Sequence, residues 1–379
     1  MGESLRVIGV QQLDRGGHSR VLRLMVEAST MESVVLKCAP WQSTESFDPD
    51  DPRLWNEWAG LEFLSRIGGG AVTPRFLGGD RRLGFVIMED LGDHPTLAHV
   101  LLGGDEQQAV GALHAYAGAL AELHAMTANR AAEYEELRRR FGPIGPRAPR
   151  VVGFALDRLA DGLLALDPDF RPPAGIVEAA RFVDERVASP GPLLGYSPHD
   201  CCPDNNQILA DGSARLFDLE FGGFRHALLD IAYLHTTMPT CWCVRRLPRH
   251  VANGAVRLYR DTLLGATVGR RDEIGERFDV DLAACRAQWA IRAAAGHLVR
   301  MPEDDDSQRY WSEWDFTFCS ERQLFLFRLE ELADAATGVG ELAPLAEFAS
   351  VARGMASDAW GVLDPVPLYP AFGASATSH

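Results

Sequence analysis

The chain has 379 residues, too many for one small core, so two domains or one two-lobed molecule is the expectation. Its hydrophobic share of 46% and charged share of 24% are ordinary for a globular protein. A net charge of −16 argues against a general affinity for nucleic acid, which needs basic surface for phosphate contacts.

In chain order, the start MGESLRVIGV has no signal-peptide architecture, and Arg6 stands where a myristoylation signal wants Ser or Thr. Residues 5 to 39 read as β-structure. LRVIGVQQL, RVLRLMVEA and SVVLKCA are short β-prone runs separated by turn chemistry, the first break being DRGGHS. A helix is predicted within DDPRLWNEWAGLEFLSRIGGG. Asp51 is a good N-cap, Pro52 suits the first helical position, and the glycines at 68 to 70 end it. Leu54, Trp58, Leu61 and Leu64 recur at helical spacing. RFLGGDRRLGFVIMEDLG reads as a hairpin.

Beyond residue 94 the pattern changes. DEQQAVGALHAYAGALAELHAMT is Ala- and Leu-rich with helical periodicity, and helices dominate to about residue 190. FGPIGPRAPR and DPDFRPPAG interrupt them as loops. The end, DPVPLYPAFGASATSH, is Pro-rich and predicted to be a poorly ordered tail. No apolar run approaches the roughly 20 residues of a spanning helix, so the chain reads as soluble and cytoplasmic, without a membrane partner. The expected division is a β-rich lobe over 1–92, a helical lobe over 93–363 and a tail over 364–379.

The stretch YSPHDCCPDNNQIL, residues 196 to 209, concentrates reactive side chains. Three chemistries compete for it. His199, Cys201 and Cys202 could join Cys241 and Cys243 in a zinc site, but adjacent ligands are awkward for a closed tetrahedron and no C-x-x-C pair exists. Cys201 and Cys202 could form a vicinal disulfide, which a reducing cytoplasm disfavours. Buried free thiols are the expectation for most of the seven scattered cysteines. The third reading is a phosphotransferase loop, Asp200-x-x-x-x-Asn205. Asp211-Gly212 is a two-residue hairpin signal, and continuing its ladder brings Asn205 opposite Asp218. An amide oxygen and a carboxylate there suit a hard Mg²⁺ ion and leave Asp200 free as a base.

HDCCPDN followed by LFDLEF resembles the catalytic and metal segments of the aminoglycoside phosphotransferase and choline kinase-like family. That family's loop usually reads His-Gly-Asp-x-x-x-x-Asn, with a further Asp downstream. The resemblance spans roughly residues 8 to 240 by motif order. It implies an α+β, two-lobed protein-kinase-like fold, with a small β-rich N-lobe and a large, mainly helical C-lobe. It also implies ATP- and Mg-dependent transfer to a hydroxyl of a small molecule, such as an antibiotic, an amino sugar or a related metabolite. GTP stays open as the nucleotide.

By the same resemblance Asp200 is the catalytic base, and Asn205 and Asp218 bind metal. Asp230 in RHALLDIAYL supports the loop. Lys37 in VVLKCAP holds phosphates and pairs with Glu57 in NEWAGLEFL, with Glu62 as the fallback. Gly16 and Gly17 in DRGGHSR cover the phosphates, and backbone groups of Glu89, Asp90 and Leu91 in FVIMEDLG take adenine. LAELHAM is the helix before the catalytic region. One departure matters: Pro198-His199 replaces His-Gly, so the backbone contact that the usual His supports must come from elsewhere.

MPEDDDSQRYWSEWDFTF combines Glu303 to Asp306 with Tyr310, Trp311 and Trp314, groups that suit a cationic amine. The spacing of Trp311, Trp314 and Phe318 equally fits a buried helix face. MPTCWCVRRLP follows the metal segment and could border the acceptor. Two rival functions share these motifs: a kinase of peptide hydroxyls, and a catalytically silent nucleotide-binding scaffold.

Overall fold

The computed structural model describes residues 6–13, 20–28, 31–38, 51–144, 151–301, 309–312 and 314–373. The early β-prone runs form an antiparallel sheet in the order β1-β2-β3-β5-β4. Its strands are β1 Arg6–Gln12, β2 Arg20–Glu27, β3 Ser33–Cys38, β4 Phe76–Asp80 and β5 Phe85–Glu89. Side chains alternate along a strand, so Val35 and Lys37 of β3 share one face, with Val21 of β2 and Met88 of β5 beside them. Between β3 and β4 runs α1, Pro52–Arg66. Asp51 caps it by accepting the Arg53 N–H at 2.9 Å, and Gly68 beyond its end takes φ +86°. Glu57 is buried on the same face as Leu54, Leu61 and Leu64.

β5 leads into the helical lobe: α2 Leu97–Leu102, α3 Glu106–Thr127, α4 Ala131–Arg139, α5 Val152–Leu166 and α6 Ile176–Ala188. Two small sheets follow. β6 Leu194–Ser197 pairs with β9 Gly223–His226, and β7 Asn206–Ile208 pairs with β8 Ala214–Leu216. The remaining elements are α7 Leu228–His235, α8 Arg249–Ala266, α9 Arg271–Arg300, β10 Tyr310–Trp311, β11 Phe316–Thr317, α10 Glu321–Ala335 and α11 Ala343–Trp360. The β7–β8 hairpin is tied to both lobes. Leu216 N–H donates to the Val72 carbonyl at 2.8 Å, and Ile208 N–H to the Pro95 carbonyl at 2.8 Å. A small β-rich lobe followed by a larger helical one is the architecture that the sequence predicts.

Two expectations fail. Trp311, Trp314 and Phe318 lie on or beside the β10–β11 hairpin, not on one helix face. Aromatic residues favour strands, and Asp315 takes φ +47° at the turn between them. Residues 364–373 are also not a loose tail. Tyr369 N–H donates to the Arg246 carbonyl at 3.0 Å, and Val366, Tyr369, Ala371 and Phe372 are buried. The prolines stop regular structure there, yet the apolar side chains between them still drive burial. Among the described residues no helix is long and apolar enough to cross a membrane.

Candidate active site

Lys37 on β3 and Glu57 on α1 meet across the N-lobe, Nζ to Oε2 at 3.0 Å. Lys37 also contacts Asp218 and lies 3.4 Å from Glu220. Glu62 faces away and bonds Trp58, Arg66 and Arg140, so it is not the partner. One ammonium among three carboxylates leaves a local excess of negative charge. Burial alone would lower the Lys37 pKa, but Glu57, Asp218 and Glu220 reverse that and hold the ammonium charged. Burial pushes the Glu57 carboxyl up, with Lys37 opposing and Asp218 adding. Glu220 is raised for the same first reason.

A cavity of about 660 Å³ opens beside Lys37, with Val35 and Met88 on one side, Glu89 to Asp93 along its edge, and Phe217 and Asp218 opposite. The Asp90 carboxylate accepts from Arg23 Nε at 2.6 Å, Ser33 Oγ at 2.7 Å and Gly92 N–H at 2.9 Å, which ties this edge to β2 and β3. Leu91 also lines the cavity. The Glu89 N–H does not serve it, because it is donated to the Arg75 carbonyl at 2.9 Å. Gly16 and Gly17 lie outside the described residues.

The hairpin after the Asp200–Asn205 loop closes with one more residue than expected. Leu209 N–H donates to the Ser213 carbonyl at 2.8 Å, and Gly212 takes φ +81°, the left-handed residue that ends a three-residue loop. The register therefore slips by one. Asn206 pairs with Leu216, and the Asn205 carbonyl accepts from Phe217 N–H at 3.1 Å, so Asn205 is not opposite Asp218. A slip of one residue exchanges the two faces of a strand. Asn206 turns inward and accepts the Leu97 N–H at 3.0 Å. Asn205 stays at the loop, its amide donating to the Asp200 carbonyl at 3.4 Å. Asp218 takes φ +62°, with its carboxylate on Lys37. Asp200 Oδ1 accepts the Cys202 N–H at 3.3 Å. Burial raises the Asp200 pKa, and the charges of Asp218 and Asp204 add to that rise.

Asp230 is fully buried on α7. Its Oδ1 accepts from Ser197 Oγ at 2.7 Å and Arg225 Nη2 at 2.6 Å, and its Oδ2 faces His124 Nε2 at 3.0 Å. Arg225 Nη2 also donates to the His199 carbonyl at 3.2 Å, and Ser197 Oγ accepts the His199 N–H at 2.9 Å. These bonds hold the loop backbone where the His-Gly pair is missing. His199 itself stands at φ +73°, a conformation that costs a non-glycine residue about 1–2 kcal/mol. Arg225, then burial, push the His199 pKa down to about 3, so its ring is neutral near pH 7. Burial would raise the Asp230 pKa, but Arg225 and His124 outweigh it and hold the carboxylate ionised.

On the other side of the loop, Trp242 Nε1 donates to Asp204 Oδ2 at 2.8 Å. The Trp242 ring packs against Trp311 and Trp314, both with centroids at 4.8 Å. A disulfide joins Cys202 to Cys241. That pairing overturns the zinc reading, because both sulfurs are already bonded, and the Cys201–Cys202 pair does not form. Cys201, Cys243, Cys285 and Cys319 are free thiols. Sequence reasoning misses Asp204, Glu220, Ser197, Arg225 and His124. Only the Asp218-x-Glu220 spacing signals one of them. His124 lies 106 residues from Asp230, beyond any local pattern.

Neither a protein-family model nor a curated protein sequence is similar to the chain. Solved structures are. A choline kinase from Cryptosporidium parvum Iowa II aligns with a TM-score of 0.51 at 13% identity, over 90% of this chain and 93% of that one. An ethanolamine kinase from Plasmodium vivax gives 0.48 at 12% identity, over 87% and 82%. A macrolide 2'-phosphotransferase from Brachybacterium faecium gives 0.45 at 16% identity, over 79% and 96%. The likeness to the choline kinase shows a shared two-lobed kinase-like fold.

Proposed function

We propose that this kinase-like chain transfers the terminal phosphoryl group of ATP to the hydroxyl of a small cationic alcohol, with Mg²⁺ as its metal. The observation that carries the reading is Lys37, clamped by Glu57 against Asp218 at the edge of a cavity lined by Glu89 to Asp93. Phosphoryl transfer asks the protein mainly for positioning and charge neutralisation. Lys37 binds phosphate oxygens and Glu57 fixes its direction. Asp200 accepts the hydroxyl proton, and Asp230 positions the loop through Ser197 and Arg225. Asp218, Glu220 and the Asn205 amide are all oxygen donors, which suit Mg²⁺, and the excess of carboxylate around Lys37 favours a further cation. When bound, Mg²⁺ neutralises charge on the phosphates.

The acceptor class rests on Asp204 beside the Trp242, Trp311 and Trp314 rings, a carboxylate and π-faces that suit an ammonium group. The similar Cryptosporidium protein is named for choline. The test is ADP release from ATP, and in parallel GDP release from GTP, with choline, ethanolamine, an aminoglycoside and a mixed peptide library as acceptors. Asp200→Asn is expected to lower turnover by about 10²–10⁴-fold while thermal stabilisation by Mg-ATP persists. Turnover near wild type in that variant overturns the assignment. Release with peptides alone would favour the protein kinase, and stabilisation without any release the silent scaffold.

A further inference from the structure

We propose that Cys202, Cys241 and Cys243 form a thiol–disulfide exchange site that sets how firmly the catalytic loop is held to the acceptor side of the cleft. Cys202 lies between Asp200 and Asn205, and its disulfide to Cys241 spans 39 residues of sequence. A third sulfur is in contact: Cys243 Sγ lies 3.4 Å from Cys241 Sγ. Trp242, between the two, donates to Asp204 at 2.8 Å. Residues 202–204 and 241–243 are thus joined by one covalent and one hydrogen bond, with a spare thiol against the covalent one. A disulfide that only stabilises needs no such neighbour. A neighbouring thiol is what exchange requires.

The step balances within the chain. The Cys243 thiol loses its proton and its sulfur attacks Cys241 Sγ. The Cys241–Cys202 bond breaks as a Cys241–Cys243 bond forms, and Cys202 leaves with the electron pair and takes up the proton. One disulfide and one thiol stand on each side, so no oxidant is consumed. The loop at Cys202 is then free of the 241–243 segment. Reducing the one disulfide present, in either arrangement, takes two electrons from an external dithiol or two glutathione molecules, which become the disulfide, and leaves three thiols. Burial raises the pKa of the Cys243 thiol, so the closed site exchanges slowly and opening of the segment speeds it.

The released loop carries Asp200 and Asp204, whereas Lys37, Glu57 and residues 89–93 have no covalent tie to it. The loop also carries Asn205, so release is expected to raise the acceptor KM severalfold and the ATP KM by less. This kinetic consequence rests on the phosphotransferase reading, but the exchange chemistry does not.

The test uses the full chain, purified without reductant and equilibrated in glutathione buffers from reducing to oxidising. Samples are acid-quenched, alkylated, digested and mapped by mass spectrometry, with chymotrypsin cutting after Trp242 to separate Cys241 from Cys243. The expected linkage in the wild type under oxidising buffer is Cys202–Cys241. Cys202→Ser is expected to give Cys241–Cys243, and Cys243→Ser to open more slowly in glutathione than the wild type. Absence of the Cys202–Cys241 linkage in the wild type overturns the proposal. So does full alkylation of Cys241 and Cys243 in a folded Cys202→Ser protein, or stoichiometric zinc on the reduced thiols. If Cys202→Ser does not fold, the opening rates of the wild type and Cys243→Ser decide, and equal rates overturn it. Mg-ATP stabilisation is measured on both redox forms. Its absence from both, with the linkages as expected, removes the phosphotransferase reading and leaves the exchange site standing.

Discussion

The two walls of the cleft are assembled differently. The wall that carries Lys37 is built from neighbours: β3 pairs with β5, and α1 is the element that follows β3 in the chain. The wall proposed to face the acceptor gathers Asp204, Trp242 and the β10–β11 aromatics from separate stretches of the C-lobe. Charge distinguishes them too. On the first wall one lysine pairs with a cluster of three carboxylates, whereas on the second Asp204 accepts a neutral indole N–H. The contrast teaches that Lys37 and Glu57 sit on regular elements close in the chain, while Asp218 and Glu220, like Asp204 and Trp242, are brought in by tertiary packing.

The severest test is at Asp230, which holds the loop at His199 through Ser197 and Arg225. Asp230→Ala leaves Arg225 buried without its carboxylate and is expected to cost about 3–5 kcal/mol in urea unfolding. A loss below about 1 kcal/mol would mean that the loop is held by other groups. Next in size is Lys37→Met, which acts on one wall. It is expected to remove Mg-ATP stabilisation and lower turnover by about 10²–10³-fold, with the Cys202–Cys241 linkage unchanged. Retained nucleotide binding would separate Lys37 from the phosphates.

The carboxylate cluster sharpens the contrast through pH. Glu57 has its pKa raised to about 7, so the folded state holds a proton that the unfolded state releases near the ordinary carboxyl value. Its contribution therefore runs against stability as pH rises from about 4.5 to about 7. Asp200, Asp204 and Glu220 are raised as well and act in the same direction. Thermal melts across this window are expected to show a smaller fall in stability for Glu57→Gln than for the wild type. A cation placed among these carboxylates favours their ionised forms, so Mg-ATP binding near pH 6.5 is expected to release protons. Calorimetry in two buffers of different ionisation enthalpy measures that release, and an unchanged count in Glu57→Gln would assign it to another group.

Legibility in the sequence follows the same division. Lys37 and Glu57 are readable because strand alternation and an Asp51-capped helix fix their faces within short windows. The β7–β8 hairpin is readable as a hairpin but not in register, since Asp-Gly is compatible with a two- or a three-residue loop and only the observed bonds decide. The links from His199 to Asp230 are illegible, because they pass through Arg225 and Ser197, each brought in by a different element. The Cys202–Cys241 pair is illegible for the same reason, and the aromatics near residue 314 fit helical spacing until the hairpin is seen.

The smallest expected effect is at Trp242. Trp242→Phe keeps an aromatic ring against Trp311 and Trp314 but removes the N–H that satisfies Asp204. A hydrogen bond of this kind contributes on the order of 1 kcal/mol, which corresponds to about a fivefold change in an equilibrium constant. If this wall binds the acceptor, the acceptor KM should change by about that factor and the ATP KM should not. The sign is open to physical reasoning. An Asp204 carboxylate freed from the indole is a better partner for an ammonium group but is held less well in place. A rise in KM would show that orientation by Trp242 matters more, a fall that the freed charge does. Equal changes in both KM values would dissolve the distinction between the walls, because the substitution would then be acting on the loop that they share.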